Sequence, residues 1–117
     1  LTLAYIGDGI YELIIRTILV KKGNCPVNRL HKKASSLVKA AAQSAIMEKI
    51  EEQLTEEELS VYRRGRNAHS PTMAKHATMA DYRRATGFEA LMGYLYLKED
   101  YTRKTALIRM GIAEDEL

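Results

Sequence analysis

The chain has 117 residues, 46% of them hydrophobic, with a formal net charge of +3 and a single cysteine, Cys25. That length fits one globular domain and buries about 65% of the surface an unfolded chain exposes, enough for a core without disulfides or structural metal. A lone cysteine cannot pair within the chain or build a Cys-based zinc site, which points to a reducing, cytoplasmic setting. Asp8, Glu12 and Arg16 interrupt the most apolar stretch, Leu1 to Val20, and exclude a transmembrane span or a signal peptide.

The chain opens on Leu1 inside a helical pattern, so further residues are expected ahead of it. Leu3, Ile6, Ile10, Leu13, Ile14 and Ile18 recur at three- and four-residue steps and predict a long first helix ending at Lys21, Lys22 and Gly23. Pro26 precedes a short helix over about 27–33. Ser35 and Ser36 predict a polar break. A third helix follows over about 36–52, with Leu37, Val38, Ala41, Ala45 and Ile46 along one face and small residues that permit close packing.

Thr55 and Glu58 predict a capping box that opens a fourth helix, which turns Leu59 and Tyr62 toward the core and fades near Arg66. From Asn67 to Thr78 apolar periodicity vanishes, and a loop of that length is more often functional than idle. Helix resumes by Met79, where Phe88, Leu91, Met92, Leu95 and Tyr96 make a strong apolar face, and a last helix covers about 102–110. With no alternating strand pattern, repeat or low-complexity segment, the fold class is all-α, with six or seven helices in one domain over residues 1–117.

Two carboxylates stand out. Asp8 lies in the apolar first helix between Gly7 and Gly9, each of which costs about 1 kcal/mol in a helix interior, so a close backbone approach or a ligand should compensate. The competing reading makes Asp8 a helix N-cap, with the helix starting there. Glu89 lies beside the apolar stripe of a later helix; at the edge of a core it needs a partner, a base such as Arg83 or Arg84 or a metal ion, whereas on a solvated flank, the commonest case, it needs none. Taken together, the two acids form a hard-oxygen pair suited to Mg²⁺ with several waters left in place. A glycosidase pair fits poorly, because Trp is absent and Phe occurs once.

Charge is unevenly spread. Residues 63–84 hold six bases (Arg63, Arg64, Arg66, Lys75, Arg83, Arg84) against one acid, whereas residues 48–58 hold six acids against one base. Arg63, Arg64, Arg66, Asn67 and His69 end a helix and enter the long loop, and arginine forks suit phosphate oxygens. A helix C-terminus explains Arg63 and Arg64 by itself, but not the charge that continues through Lys75, Arg83 and Arg84. His31, His69 and His76 show no shared metal spacing, and Gly7-Asp8-Gly9 is not a phosphate loop.

The segments Leu3-Ala4-Tyr5-Ile6-Gly7-Asp8-Gly9-Ile10-Tyr11-Glu12 and Phe88-Glu89-Ala90-Leu91-Met92-Gly93-Tyr94 resemble the two signatures of the ribonuclease III catalytic domain. The match is closer still to the short bacterial Mini-ribonuclease III branch of that family. Leu30-His31, the Val38-x-Ala40-x-x-Gln43 pattern, Arg63 to Ala68 and Tyr82-Arg83 support it.

The resemblance implies a helical homodimer that cleaves double-stranded RNA with Mg²⁺, or Mn²⁺ in its place, leaving a 5′-phosphate and a 3′-hydroxyl. It implies that Asp8 and Glu89 are the metal-binding catalytic acids, and that the substrate is a precursor of large-subunit (23S) ribosomal RNA. Ala4 and Thr86 stand where longer members carry acids, and no double-stranded RNA-binding domain is expected after the last helix. Duplex contact is then expected from Arg63, Arg64, Arg66, Asn67, His69, Lys75, Arg83 and Arg84.

Two rivals stand beside this reading. The first is a noncatalytic RNA-binding or ribosome-associated module, which Ala4 and Thr86 favour; the second is a structural dimerisation domain. Ile14, Ile15, Ile18, Leu19 and Val20 make the first helix apolar on more than one face, which a dimer or burial within the chain explains equally.

Overall fold

The computed structural model describes residues 1–23, 25–68 and 78–112. Its elements are α1 (Thr2–Lys21), α2 (Val27–Val38), α3 (Ala40–Ile50) with a 3₁₀ turn (Glu51–Gln53), α4 (Glu56–Asn67), α5 (Met79–Leu97) and α6 (Tyr101–Gly111). The expected all-α class is met: no strand occurs among the described residues. No described helix is long and apolar enough to cross a membrane.

α5 runs through the middle and packs against α1, α3, α4 and α6, while α2 lies on α1. Nearly every residue from Ala85 to Leu95 is buried, on all sides of the helix, as a central helix requires. α1 comes closest. A Cβ on Gly7 would run into the Glu89 carbonyl oxygen, and one on Gly93 into that of Leu3, so two glycines let antiparallel backbones touch. The Tyr11 and Phe88 rings meet edge to face at 5.2 Å, and the Tyr11 hydroxyl donates to the Leu37 carbonyl at 2.7 Å, tying α1 to α5 and α2.

The capping box forms as expected. Glu58 N–H donates to Thr55 Oγ1 at 3.2 Å, and Thr55 N–H to Glu58 Oε1 at 2.9 Å. The Glu58 carboxylate also takes two bonds of 2.8 Å from the Arg103 guanidinium, which fastens α4 to α6 and holds Glu58 below the usual carboxylate range.

The α2–α3 boundary corrects the sequence reading. The helix does not break at Ser35 and Ser36, because Ser36 Oγ folds back to donate to the Lys33 carbonyl at 2.7 Å and leaves the backbone helical. The break falls at Lys39, whose backbone is extended (φ −69°, ψ 159°). Beginning α3 at Ala40 turns Gln43, Ser44, Ile46, Met47 and Ile50 inward and leaves Ala41 and Ala45 exposed.

On α1, Ile14, Ile15, Ile18 and Leu19 are buried within the chain, the second of the two explanations offered for its apolar faces, whereas Val20 is exposed. The exposed large apolar residues of α1 are Tyr5, Ile6, Leu13 and Val20, of which the last three are spaced by seven along one stripe.

Candidate active site

Asp8 sits in the interior of α1, well past its start at Thr2, so the N-cap reading is overturned. It stays exposed while its neighbour Gly7 is buried against α5. That contact accounts for one of the two glycines. A Cβ on Gly9 would meet nothing within 4 Å, so Gly9 permits no comparable approach.

Glu89 projects from α5, from the residue whose carbonyl Gly7 touches. Its carboxyl lies within hydrogen-bonding reach of Asp8, and burial, then the Asp8 hydrogen bond and charge, push it up to about 8. The Gln43 amide beside it pulls in the opposite direction. Two carboxyls held this close share a proton unless a cation replaces it.

The donor set fits a hard divalent ion with most of its waters retained. Among the described residues no third acid, His or Cys joins the pair. Ala4 is buried without a polar atom to offer, and the Thr86 hydroxyl donates to the Tyr82 carbonyl at 2.9 Å.

Neither arginine serves as partner to Glu89. Arg84 Nη1 donates to Glu48 Oε1 at 2.7 Å and Ser44 Oγ at 3.3 Å, while Arg83 is exposed. Charge neutralisation by a neighbouring base, one of the sequence expectations, is therefore replaced by a like-charge pair.

The expected RNA-binding residues fall into groups. Arg63, Arg64 and Asn67 are exposed at the end of α4. The Arg66 guanidinium lies 5.6 Å from the Tyr62 ring centroid, and its Nε donates to Asn67 Oδ1 at 3.2 Å. His69 and Lys75 lie outside the described residues.

Two features have no role assigned in the sequence reading, although Gln43 stands in one of its supporting patterns. From Leu13 to Met47 the sequence holds seven bases (Arg16, Lys21, Lys22, Arg29, Lys32, Lys33, Lys39) and no acid, a signal that a running charge count finds. Gln43, 1% exposed, interrupts the apolar face of α3 beside Glu89; its polarity at a core position is the sequence signal.

The Ribonuclease III domain family matches residues 1–100. A Mini-ribonuclease 3 of Enterococcus faecalis is 51% identical over 114 residues, covering 96% of this chain and 86% of its own. One from Clostridium tetani is 49% identical over 113 residues, covering 96% of this chain and 75% of its own. A crystal structure of a Fusobacterium nucleatum protein superposes with a TM-score of 0.84 at 32% identity, covering 92% of this chain and 86% of that one.

Proposed function

The chain belongs to the ribonuclease III family, in its Mini-ribonuclease III branch, as an endoribonuclease of that type, and we propose that it cuts double-stranded RNA with Mg²⁺ held by Asp8 and Glu89. The observation that carries this reading is the meeting of the two carboxyls at the closest backbone contact between α1 and α5. Held there, the ion supplies the Lewis acidity that phosphodiester hydrolysis needs; Mn²⁺ serves in its place.

Asp8, on an exposed helix face, presents its carboxylate to the substrate side. Glu89, half-buried, holds the other ligand oxygen and must lose its proton before it can bind. Water adds to the phosphate and the bond to the 3′-oxygen breaks, so the products are a 5′-phosphate and a 3′-hydroxyl.

Arg63, Arg64, Arg66 and Asn67 at the end of α4, with His69, Lys75 and Arg83, are the residues proposed to meet RNA phosphates, while Arg84, ion-paired with Glu48, contributes less. They read an A-form duplex by shape rather than by base. Residues 1–117 act as one catalytic domain in a cytoplasmic homodimer, for which the exposed stripe Ile6, Leu13 and Val20 supplies an apolar surface. The substrate proposed is a precursor of large-subunit (23S) ribosomal RNA, on the strength of the branch resemblance.

Ala4 and Thr86, without carboxylates, favour a second reading in which the fold binds RNA and does not cut it. Cleavage of an end-labelled duplex in Mg²⁺ or EDTA separates the two, run beside Asp8→Asn and Glu89→Gln proteins of unchanged fold. Metal-dependent cutting that both variants lose supports the nuclease. Tight duplex binding without any cut, on structured precursor RNA as well, supports the binding module.

A further inference from the structure

Gln43 is among the most buried polar side chains of the molecule, 1% exposed, and its contacts are lopsided. Its amide nitrogen donates to the Val38 carbonyl at 2.9 Å, across the Lys39 break between α2 and α3. Its carbonyl oxygen Oε1 is buried with no hydrogen-bond partner among the described residues. An apolar side chain of similar size would bury no unmet acceptor but would leave the Val38 carbonyl without its donor, so the Val38 bond accounts for one amide hydrogen and gives no reason for the second.

The reason lies on α5. A primary amide has two N–H donors, and the Val38 carbonyl takes one; Glu89, beside which the amide lies, is the acceptor that remains. We infer that Gln43 is a positioning residue for Glu89. Anchored at the α2–α3 break, it gives its second hydrogen to the Glu89 carboxylate and fixes which way that carboxylate faces Asp8. This inference rests on the proposal that Asp8 and Glu89 hold a divalent ion. With two carboxylates in the set, the orientation of each matters more to ion affinity than it would in a larger cage.

The test uses the full chain and Mn²⁺ alone, without RNA, followed by the loss of the free-ion electron paramagnetic signal. Wild type, Gln43→Met, Gln43→Leu and Glu89→Gln are compared at one pH, and each Tm is taken in EDTA. The expected result is that both Gln43 variants fold, melt somewhat below the wild type through loss of the Val38 bond, and bind Mn²⁺ about tenfold more weakly or worse. The Mn²⁺ needed for half-maximal cleavage should rise in step, with the rate recovering at saturating ion.

If Glu89→Gln loses Mn²⁺ binding while both Gln43 variants keep wild-type affinity, the inference falls and the metal-site proposal stands. A failure to fold in both Gln43 variants also overturns it, by making Gln43 a core residue. If wild type and Glu89→Gln bind Mn²⁺ alike, both readings fall together.

Discussion

Gly7 and Glu89 meet backbone to backbone: a side chain on the glycine would occupy the space of the Glu89 carbonyl oxygen, so the spacing of α1 and α5 depends on there being none. Asp8, the next residue, owes its approach to the Glu89 carboxyl to that contact. Gly7→Ala should therefore push α1 off α5 and cost about 1–3 kcal/mol, as overpacking does, with a larger loss of cleavage than stability alone explains. Gly9→Ala, in open space, should stabilise by up to about 1 kcal/mol through helix propensity. Denaturant melts of the two variants check the contrast; equal effects would sink it.

The raised carboxyl makes a pH prediction for the metal-free protein. Glu89 titrates near 8 when folded, pushed up by burial and then by Asp8, against an ordinary 4.5 when unfolded. Between those values the folded state holds a proton that the unfolded state has lost, so stability must fall as pH rises through that window. Below it the neutral carboxyl costs nothing extra. Asp8→Asn removes the like charge and should flatten the slope. Melting in EDTA from pH 4 to 9 reads both curves. Divalent ion should reverse the trend, with affinity rising by up to about tenfold per pH unit as the competing proton leaves.

How much of this was legible in the sequence depends on the length scale of the signal. α1, the Thr55–Glu58 cap and the apolar α5 follow from local spacing, and all three form. The α2–α3 break does not, because whether Ser36 ends a helix or bonds back to the Lys33 carbonyl is decided by which face Ala34 and Leu37 bury. Asp8 and Glu89 are each anomalous and can be paired as hard-oxygen ligands by residue type, but composition cannot bring them together in space; the fold does that. Arg84 looks like an RNA contact in a charge count, yet its guanidinium is spent on Glu48 and Ser44.

That difference separates the arginines in solution. Arg63 and Arg64 are exposed at the end of α4, whereas Arg84 is ion-paired. Arg63→Ala with Arg64→Ala should weaken duplex binding and reduce the slope of log affinity against log salt by about one for each phosphate that is no longer neutralised. Reversing Arg64 and Arg66 to Glu should weaken it further. Arg84→Ala should change the slope less than either. Filter binding with the Asp8→Asn protein across a salt series measures this without cleavage, and an unchanged slope in the Arg63 and Arg64 variant would remove α4 from the interface.

The dimer prediction turns on Leu13. It is 61% exposed and Val20, one step along the same stripe of α1, is 62% exposed, while Ile6 at 36% borders Gly93 of α5. An apolar stripe on a helix already packed on its other side gains nothing inside the chain, and covering it removes that surface from water. Because Leu13 makes no part of the buried core, Leu13→Glu should leave the monomer fold and its Tm in dilute solution nearly untouched while abolishing self-association. Sedimentation equilibrium should show a dimer for the wild type and a monomer for the variant. Wild type that stays monomeric at working concentration defeats the homodimer. A variant that still dimerises moves the interface off this face of α1.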